Sequence, residues 1–320
     1  MLGSPSRGRS HAERVAEAVN SKVCAATSGI AASWRRSMVY HGLDPASRRS
    51  AHRVEEASLR QARERSEALI RVALPTLERL YTTLGTTGCS VVLTDADGLI
   101  LEGRRAAGDA RDFDSWGLTA GAVWSEAMEG TNGIGTCAAE RRPVVIHQDQ
   151  HFRADNTSMS CMGAPIFDPH GQMAGVLDLS SCRRDLELPF AQMLGLIVAE
   201  GARAVESDLF RAAYAGCRIV VADGHGAAGV SLLALDADDI IVGATRHARR
   251  ALDLTDAVLS SAPAAAPYLG EREGEGRGSD RAALRRALAR ARGNVSAAAR
   301  DLGISRATMY RKMAALGVEG

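Results

Sequence analysis

Lysine is almost absent from this chain. It stands only at positions 22 and 312, and the other 37 basic residues of the 320 are arginine. A phosphate-gripping P-loop needs Gly-Lys-Ser/Thr, with the lysine reaching the phosphates. Lys22 follows Ser21 and Lys312 follows Arg311, so the chain contains no such loop. The six cysteines, Cys24, Cys89, Cys137, Cys161, Cys182 and Cys217, never fall into a CxxC pair. Scattered cysteines in a chain of this size point to reduced thiols in the cytoplasm rather than a disulfide scaffold. No apolar run approaches the ~18 residues needed to span a bilayer. The N-terminus lacks an apolar signal core, so a cytoplasmic protein with no membrane partner is expected. A net charge of +1 leaves partners to be read from local charge alone.

What is present divides the chain. Residues 1–65 read as a helical leader, with charged and apolar residues alternating at three- and four-residue spacing. The run continues through "SEALIRVALPTLERLYTTL", where Pro75 is the expected kink or restart. From residue 89 the texture changes. "CSVVLTDADGLILEG" predicts two strands about Asp97-Gly98. "RPVVIHQ" predicts a third, and "CMGAPIFDPHGQMAGVLDLSS" two more around a Pro/Gly turn. A long amphipathic helix, "LPFAQMLGLIVAEGARAVESDLFRAAY", follows. The fold class is therefore α+β: a helical N-terminal segment, then an antiparallel sheet with flanking helices over 66–205. Residues 206–259 hold a shorter echo, in which 229–254 reads strand, Asp-rich turn, strand, helix. Residues 260–279 are Pro/Ala-rich, then Gly/Glu/Arg-rich, and read as a linker.

The segment 280–320 is all-α. Ser279 or Asp280 is placed to cap a helix whose apolar face is Ala283, Leu284, Ala287, Leu288 and Ala291. A short helix starts at Val295, Gly303 supplies a tight turn, and Ser305 caps a last helix pinned by Met309, Met313 and Leu316. Small Ala298 or Ala299 lets two helices cross closely. Between 280 and 316 stand nine basic residues against two acidic ones. A compact basic helix-turn-helix suits docking in the DNA major groove.

These residues, "GNVSAAARDLGISRATMYRKMAALG", resemble the Fis-type DNA-binding domain of bacterial enhancer-binding regulators. The resemblance implies phosphate contacts from Asn294 and Ser296. It implies a DNA-facing set of Ser305, Arg306, Thr308, Tyr310, Arg311 and Lys312, and a homodimer on an inverted-repeat operator. The stretches "VVLTDADGLIL", "WSEAMEGTNGIGTCAAERRPVVI" and "APIFDPHGQMAGVLDLS", with the leader "SWRRSMVYHGLDP", resemble the GAF sensor domain of acetoin-regulator-type (AcoR-like) proteins. Those regulators usually carry a central AAA+ ATPase acting on the sigma-54 polymerase. Here the residues between sensor and reader are too few for it, so ATP hydrolysis is not expected. The 206–259 segment resembles part of a PAS-type domain.

The glycines of "EGTNGIGTC" (Gly130, Gly133 and Gly135) have G-x-x-G-x-G spacing, not the dinucleotide fingerprint. They predict a tight connection into a short helix, with Thr131 and Asn132 bonding backbone groups. An anion at exposed helix N–H groups is the alternative. For a small-molecule effector, the expected liners are Trp124, Phe152, Met159, Cys161 and Met162. A metal held by Cys137, His147, His151 and Cys161 has suitable ligand types but irregular spacing, so no metal or cofactor is expected. The expectation is thus a sequence-specific transcription regulator, not an enzyme, whose effector modulates DNA binding or contact with RNA polymerase. The alternative is a GAF redox enzyme of the free methionine sulfoxide reductase kind, through Cys89, Cys137 or Cys161, or a metal/haem sensor.

Overall fold

The computed structural model describes residues 10–21, 28–47, 51–84, 88–222, 230–269 and 276–318. Lys22, Cys24 and the 270–275 part of the expected linker lie outside the described residues. Two compact units emerge: residues 1–168 with 172–209, and residues 169–171 with 210–320.

The first unit opens with α1 (His11–Asn20), whose Ser10 accepts from the Glu13 amide while Glu13 reaches back to Ser10, a reciprocal cap. Next comes α2 (Gly29–Arg35), which runs on through a π turn at Arg36–Tyr40. The following helical run splits into α3 (Glu56–Arg65) and α4 (Glu67–Leu84). The break falls at Ser66, not at Pro75. Pro75 stays inside α4 on its exposed side.

The sheet consists of β1 (Cys89–Asp95), β2 (Ile100–Arg105), β3 (Val144–His147), β4 (Ser160–Phe167) and β5 (Met173–Ser181). Its order is β2-β1-β5-β4-β3, antiparallel throughout. The β1–β2 turn is held by Asp95, whose Oδ1 accepts the amides of Asp97 (3.0 Å) and Leu99 (2.9 Å), while Gly98 takes φ +83°.

Strand alternation gives the sheet two apolar faces. On one, Val91, Leu93, Met162, Ala164, Leu177 and Leu179 pack with α4 and with α8 (Leu188–Ala213). On the other, Val92, Cys161 and Val176 join Phe113, Trp124, Ile134 and Met159. That second face is covered by α5 (Ala110–Trp116), α6 (Glu126–Glu129) and α7 (Gly133–Glu140). At 26 residues, α8 meets the length and composition of a membrane span, which was not expected from the sequence. It carries Glu200, Arg203 and Glu206, and its Ala191, Leu194, Val198, Ala202 and Val205 are buried in the core of this unit.

The second unit holds β6 (Arg218–Val221), β7 (Leu232–Leu235) and β8 (Ile241–Ala244) in that order, then α9 (Arg246–Ala251) and α10 (Asp256–Ser260). Its β7–β8 turn repeats the first hairpin's device: Asp236 Oδ1 accepts from Asp238 and Ile240, each at 2.9 Å. Residues 263–269, linker by composition, pack against this sheet. The Ile241 amide donates to Pro263, and Ala265 is buried. Alanine is small enough to disappear into the core without any apolar period to announce it. Last come α11 (Gly276–Arg290), α12 (Val295–Asp301) and α13 (Arg306–Leu316). Because α11 begins at Gly276, Ser279 and Asp280 lie inside it rather than capping it.

Candidate nucleic-acid interface and sensor interior

The three C-terminal helices close around Leu284, Ala287, Leu288, Ala298, Ala299, Met309 and Met313. Asn294 Oδ1 accepts the Ala297 amide at 3.1 Å and Ser305 Oγ the Thr308 amide at 3.1 Å, so both expected contact residues are helix caps. Gly303 turns the chain with φ +66°. Arg306, Tyr310 and Arg311 are exposed, whereas Ser296, Thr308 and Lys312 are half-buried. Of the eight expected residues, Asn294, Ser305, Arg306, Tyr310 and Arg311 are thus exposed and none is fully buried. The Arg306 guanidinium lies 5.6 Å from the Tyr310 ring centre, and its Nη2 donates to Tyr310 Oη at 3.4 Å. Such stacking holds a flexible cation outward in one orientation. Asp301, one of the two acidic residues here, is paired with Arg290 at 2.5 Å.

In the sensor unit, the glycine stretch is a packing device. Gly130 takes φ +70°, and a Cβ there would sit 2.5 Å from the Phe152 ring. A Cβ on Gly133 would lie 2.5 Å from both Asp178 Oδ1 and Cys161 Cβ. The first amides of α7 are not free for an anion, because Asn132 Oδ1 accepts those of Ile134 (2.9 Å) and Gly135 (2.8 Å). Thr131, expected to bond backbone, instead meets Ser33 Oγ of the leader at 2.7 Å.

Ser33 belongs to a buried network. It donates to Glu126 Oε2 at 2.8 Å, and Arg36 Nε meets Glu126 Oε1 at 2.7 Å. The leader thus bonds directly to α6 and to the loop that starts α7. It also reaches the loop after β3. His11 Nε2 donates to the carbonyls of His151 (3.0 Å) and Phe152 (3.1 Å), and Trp34 Nε1 to that of Gln150 (2.8 Å).

All five expected effector liners are buried, but they are not together. Trp124, Met159 and Cys161 share the second face of the sheet. Phe152 packs with Val15 and Val19 of the leader. Met162 points to the opposite face, because neighbouring residues on a strand alternate.

Around Cys161 the proton positions follow from the partners. The Gln148 carbonyl can only accept, so His151 Nδ1 donates to it at 2.9 Å. His151 Nε2, 3.3 Å from Cys161 Sγ, is then the acceptor of the thiol proton. Burial lowers the pKa of His151 to about 4 and keeps the ring neutral. Burial also drives the Cys161 thiol far above its ordinary range, with the Asp178 carboxyl adding to the rise. Cys137 is raised as well, first by burial and then by Asp178. Both are held as thiols, the unreactive form. His147 is bonded to Ser160 Oγ at 2.9 Å. Among the described residues, no group of three His, Cys, Asp or Glu is arranged to hold a metal.

Ser180 Oγ lies 2.6 Å from Asp178 Oδ2 and 3.1 Å from Cys161 Sγ. Asp178 is wholly buried, and burial raises its pKa to about 7. Neither residue stands out by period or motif. The signal available was a carboxylate at an inward position of an apolar strand, "VLDLSS".

The GAF domain model matches residues 68–201, and the model of the Fis family of bacterial regulatory proteins matches residues 279–316. The chain is therefore a GAF-domain protein carrying a Fis-family helix-turn-helix. Among its relatives is the acetoin catabolism regulatory protein of Cupriavidus necator, 32% identical over 248 residues, which cover 75% of this chain and 36% of that protein. The propane 2-monooxygenase operon transcriptional activator MimR of Mycolicibacterium smegmatis is 30% identical, over 72% of this chain and 38% of its own length. The acetoin dehydrogenase operon transcriptional activator AcoR of Bacillus subtilis is 30% identical, over 47% and 25%. The chain thus spans roughly a third of the length of these curated relatives. The crystal structure of the E. coli DhaR(N)–DhaL complex contains a chain with the same fold. Its TM-score is 0.52 at 17% identity, covering 70% of this chain and 77% of that one.

Proposed function

We propose that this protein is a sequence-specific DNA-binding transcription regulator whose GAF domain senses a small molecule, and that this chain does not hydrolyse ATP. The observation that carries the reading is the C-terminal bundle. A capped helix presents Arg306, Tyr310 and Arg311 to solvent on a unit with a strong local excess of arginine. Arginines on such a helix pair with phosphates and bond guanine edges. The relatives, named as transcriptional activators and regulators, support it. The lack of a Gly-Lys-Ser/Thr sequence supports the absence of ATPase chemistry. The reading includes a homodimer on an inverted repeat, whose paired readers would span half-sites about 34 Å apart. The exposed stripe of Phe190, Met193, Leu196 and Ile197 along α8 supports that pairing. The effector acts by binding two arrangements of the dimer with different affinity, changing DNA binding or polymerase contact.

The test is selection of bound genomic fragments, followed by affinity measurements over a salt series. Arg306→Ala with Arg311→Ala is expected to lower affinity and to reduce the slope of log affinity against log salt by about one for each phosphate that is no longer neutralised. An unchanged affinity and slope would overturn the reading.

A further inference from the structure

We propose that the acidic turn between β7 and β8, residues 236–239, is a dock for the DNA reader of the same chain, and that duplex DNA releases it. The turn holds Arg285 and Arg286 with oxygen ligands of the kind a DNA backbone offers, so the docked and DNA-bound states compete. This autoinhibitory contact, which rests on the DNA-binding reading above, adds to it a restraint on the free protein.

The turn reads "DADD", three carboxylates in four residues. Two of them are engaged within the small sheet. Asp236 Oδ1 accepts the amides of Asp238 and Ile240, and Asp239 is paired with Arg218. Asp238 meets the reader. Its carbonyl accepts from Arg286 Nη1 at 2.6 Å, and its Oδ1 lies 3.6 Å from Arg285 Nη1. Both arginines stand on α11, between Leu284 and Ala287, which that helix buries in the reader's own core. One residue thus presents two oxygens to two successive guanidinium groups. A phosphodiester binds arginine through the same chemistry.

The contact is weak enough to be reversible. The side chains of Arg285 and Asp238 are 37% and 45% exposed, and 3.6 Å is too long for a hydrogen bond. Asp238 Oδ1 is itself shielded from water and has no hydrogen-bond donor, so the docked carboxylate gives up hydration for an incomplete return. Pairs inside each part of this unit are tighter. Arg290 meets Asp301 at 2.5 Å within the reader, and Arg249 meets Asp256 at 2.6 Å beside the small sheet. The looser pair spans the boundary between the two parts, where a contact must break if the reader is to move.

Chain connectivity makes a weak contact sufficient. The Ala265 amide donates to the Asp239 carbonyl at 2.9 Å, so the chain leaves this turn at Ala265 and comes back to it at Arg285. Such a short return keeps the reader at an effective concentration on the order of millimolar. The dock therefore closes in the free protein. A duplex offers many phosphates at once and outcompetes one carboxylate and one carbonyl. Were the dock to stay closed on DNA, it would also hold the Asp238 carboxylate near a polyanion, and that repulsion favours release.

The experiment uses the full chain and a mixed-sequence duplex about 30 base pairs long, enough for two half-sites one turn apart. Asp238→Asn keeps the shape of the turn and removes the charge. It should tighten duplex binding about threefold at low salt, read by fluorescence anisotropy. The gain should shrink as salt rises, because salt screens an exposed pair. Asp253→Asn removes the same charge just beyond α9 and should change affinity much less. Without DNA, backbone amide NMR relaxation reads the dock directly. In the unaltered protein, residues 284–313 should tumble together with 232–244. Asp238→Asn should shorten the reader's correlation time, and raising salt on the unaltered protein should do the same without any substitution. Unchanged affinity in Asp238→Asn, an equal gain in Asp253→Asn, or reader tumbling that responds to neither charge removal nor salt would each overturn the dock. No duplex binding at all, with the relaxation differences intact, would instead refute the regulator reading and leave the dock standing as a contact within the chain.

Discussion

Arg153 Nε lies 2.9 Å from Glu129 Oε2, and their side chains are only 5% and 6% exposed. The same guanidinium donates to the carbonyls of Ser47 (3.1 Å) and Met128 (2.7 Å), so one buried cation ties the leader, α6 and the loop after β3 together. Removing one partner of such a pair strands a charge away from water. Glu129→Gln is therefore expected to cost about 3 kcal/mol in urea unfolding, and Glu129→Leu with Arg153→Met distinctly less than the sum of the single changes. Strict additivity in that cycle would show that the two charges do not interact.

The pH dependence of stability should carry Asp178's signature. Its folded pKa is about 7, above the ordinary carboxyl value of 3.8, because burial disfavours the anion. The folded state therefore holds the proton longer than the unfolded chain, and this contribution to stability falls as pH rises from about 4 to 7. His151, lowered to about 4, works in the opposite sense: its contribution is lost as pH falls from 6.5 toward 4. Asp178→Asn isolates the first effect. Relative to the unaltered protein, it should gain on the order of a few kcal/mol between pH 4 and pH 8. A difference between the two proteins that does not move with pH would contradict the burial argument.

Gly133→Ala should be strongly destabilising, by about 2 kcal/mol or more. The new methyl meets Asp178 Oδ1 and Cys161 Cβ at 2.5 Å, in a packed interior with no room to yield. Gly108→Ala, where an added Cβ meets nothing within 4 Å, is the control and should lie within about 0.5 kcal/mol of the parent. Equal denaturant midpoints for the two variants would contradict this close approach.

Leu196 is 69% exposed at the centre of the α8 stripe. Leu196→Glu should leave the thermal unfolding of the sensor unit nearly unchanged while shifting mass in light scattering from dimer to monomer. A dimer that persists with undiminished affinity would move the pairing surface elsewhere.

The reader domain was largely legible in the sequence, because its constraints are local. A cap serine at 305, a turn glycine at 303 and small residues at 298 and 299 all lie within a few residues of one another. The strands of the sensor were legible for the same reason, through β-branched runs and Asp-Gly or Pro-Gly turns. Strand β6 (Arg218–Val221) was missed, although it is a β-branched run as long as β3. The buried polar side chains were not legible either. Asp178 is interior because of the register that pairs it with Gly163 and Val92. Ser33 and Glu126 meet across 93 positions of chain. The division of the expected liners had a clear cause in principle, since Cys161 and Met162 are adjacent on one strand and must face opposite ways. Which way each faces is decided only by the helices that cover the two sides.

The match to the GAF domain begins at residue 68, yet α1 and α2 bury Val15, Val19 and Ser33 against that domain. The border of the shared sequence pattern is therefore not the border of the cooperative folding unit. A fragment cut at that border would expose Phe152 and leave Glu126 without its arginine. It would be a poor guide to the intact molecule's stability, and anyone shortening this protein for crystals or binding assays should keep its first forty-odd residues.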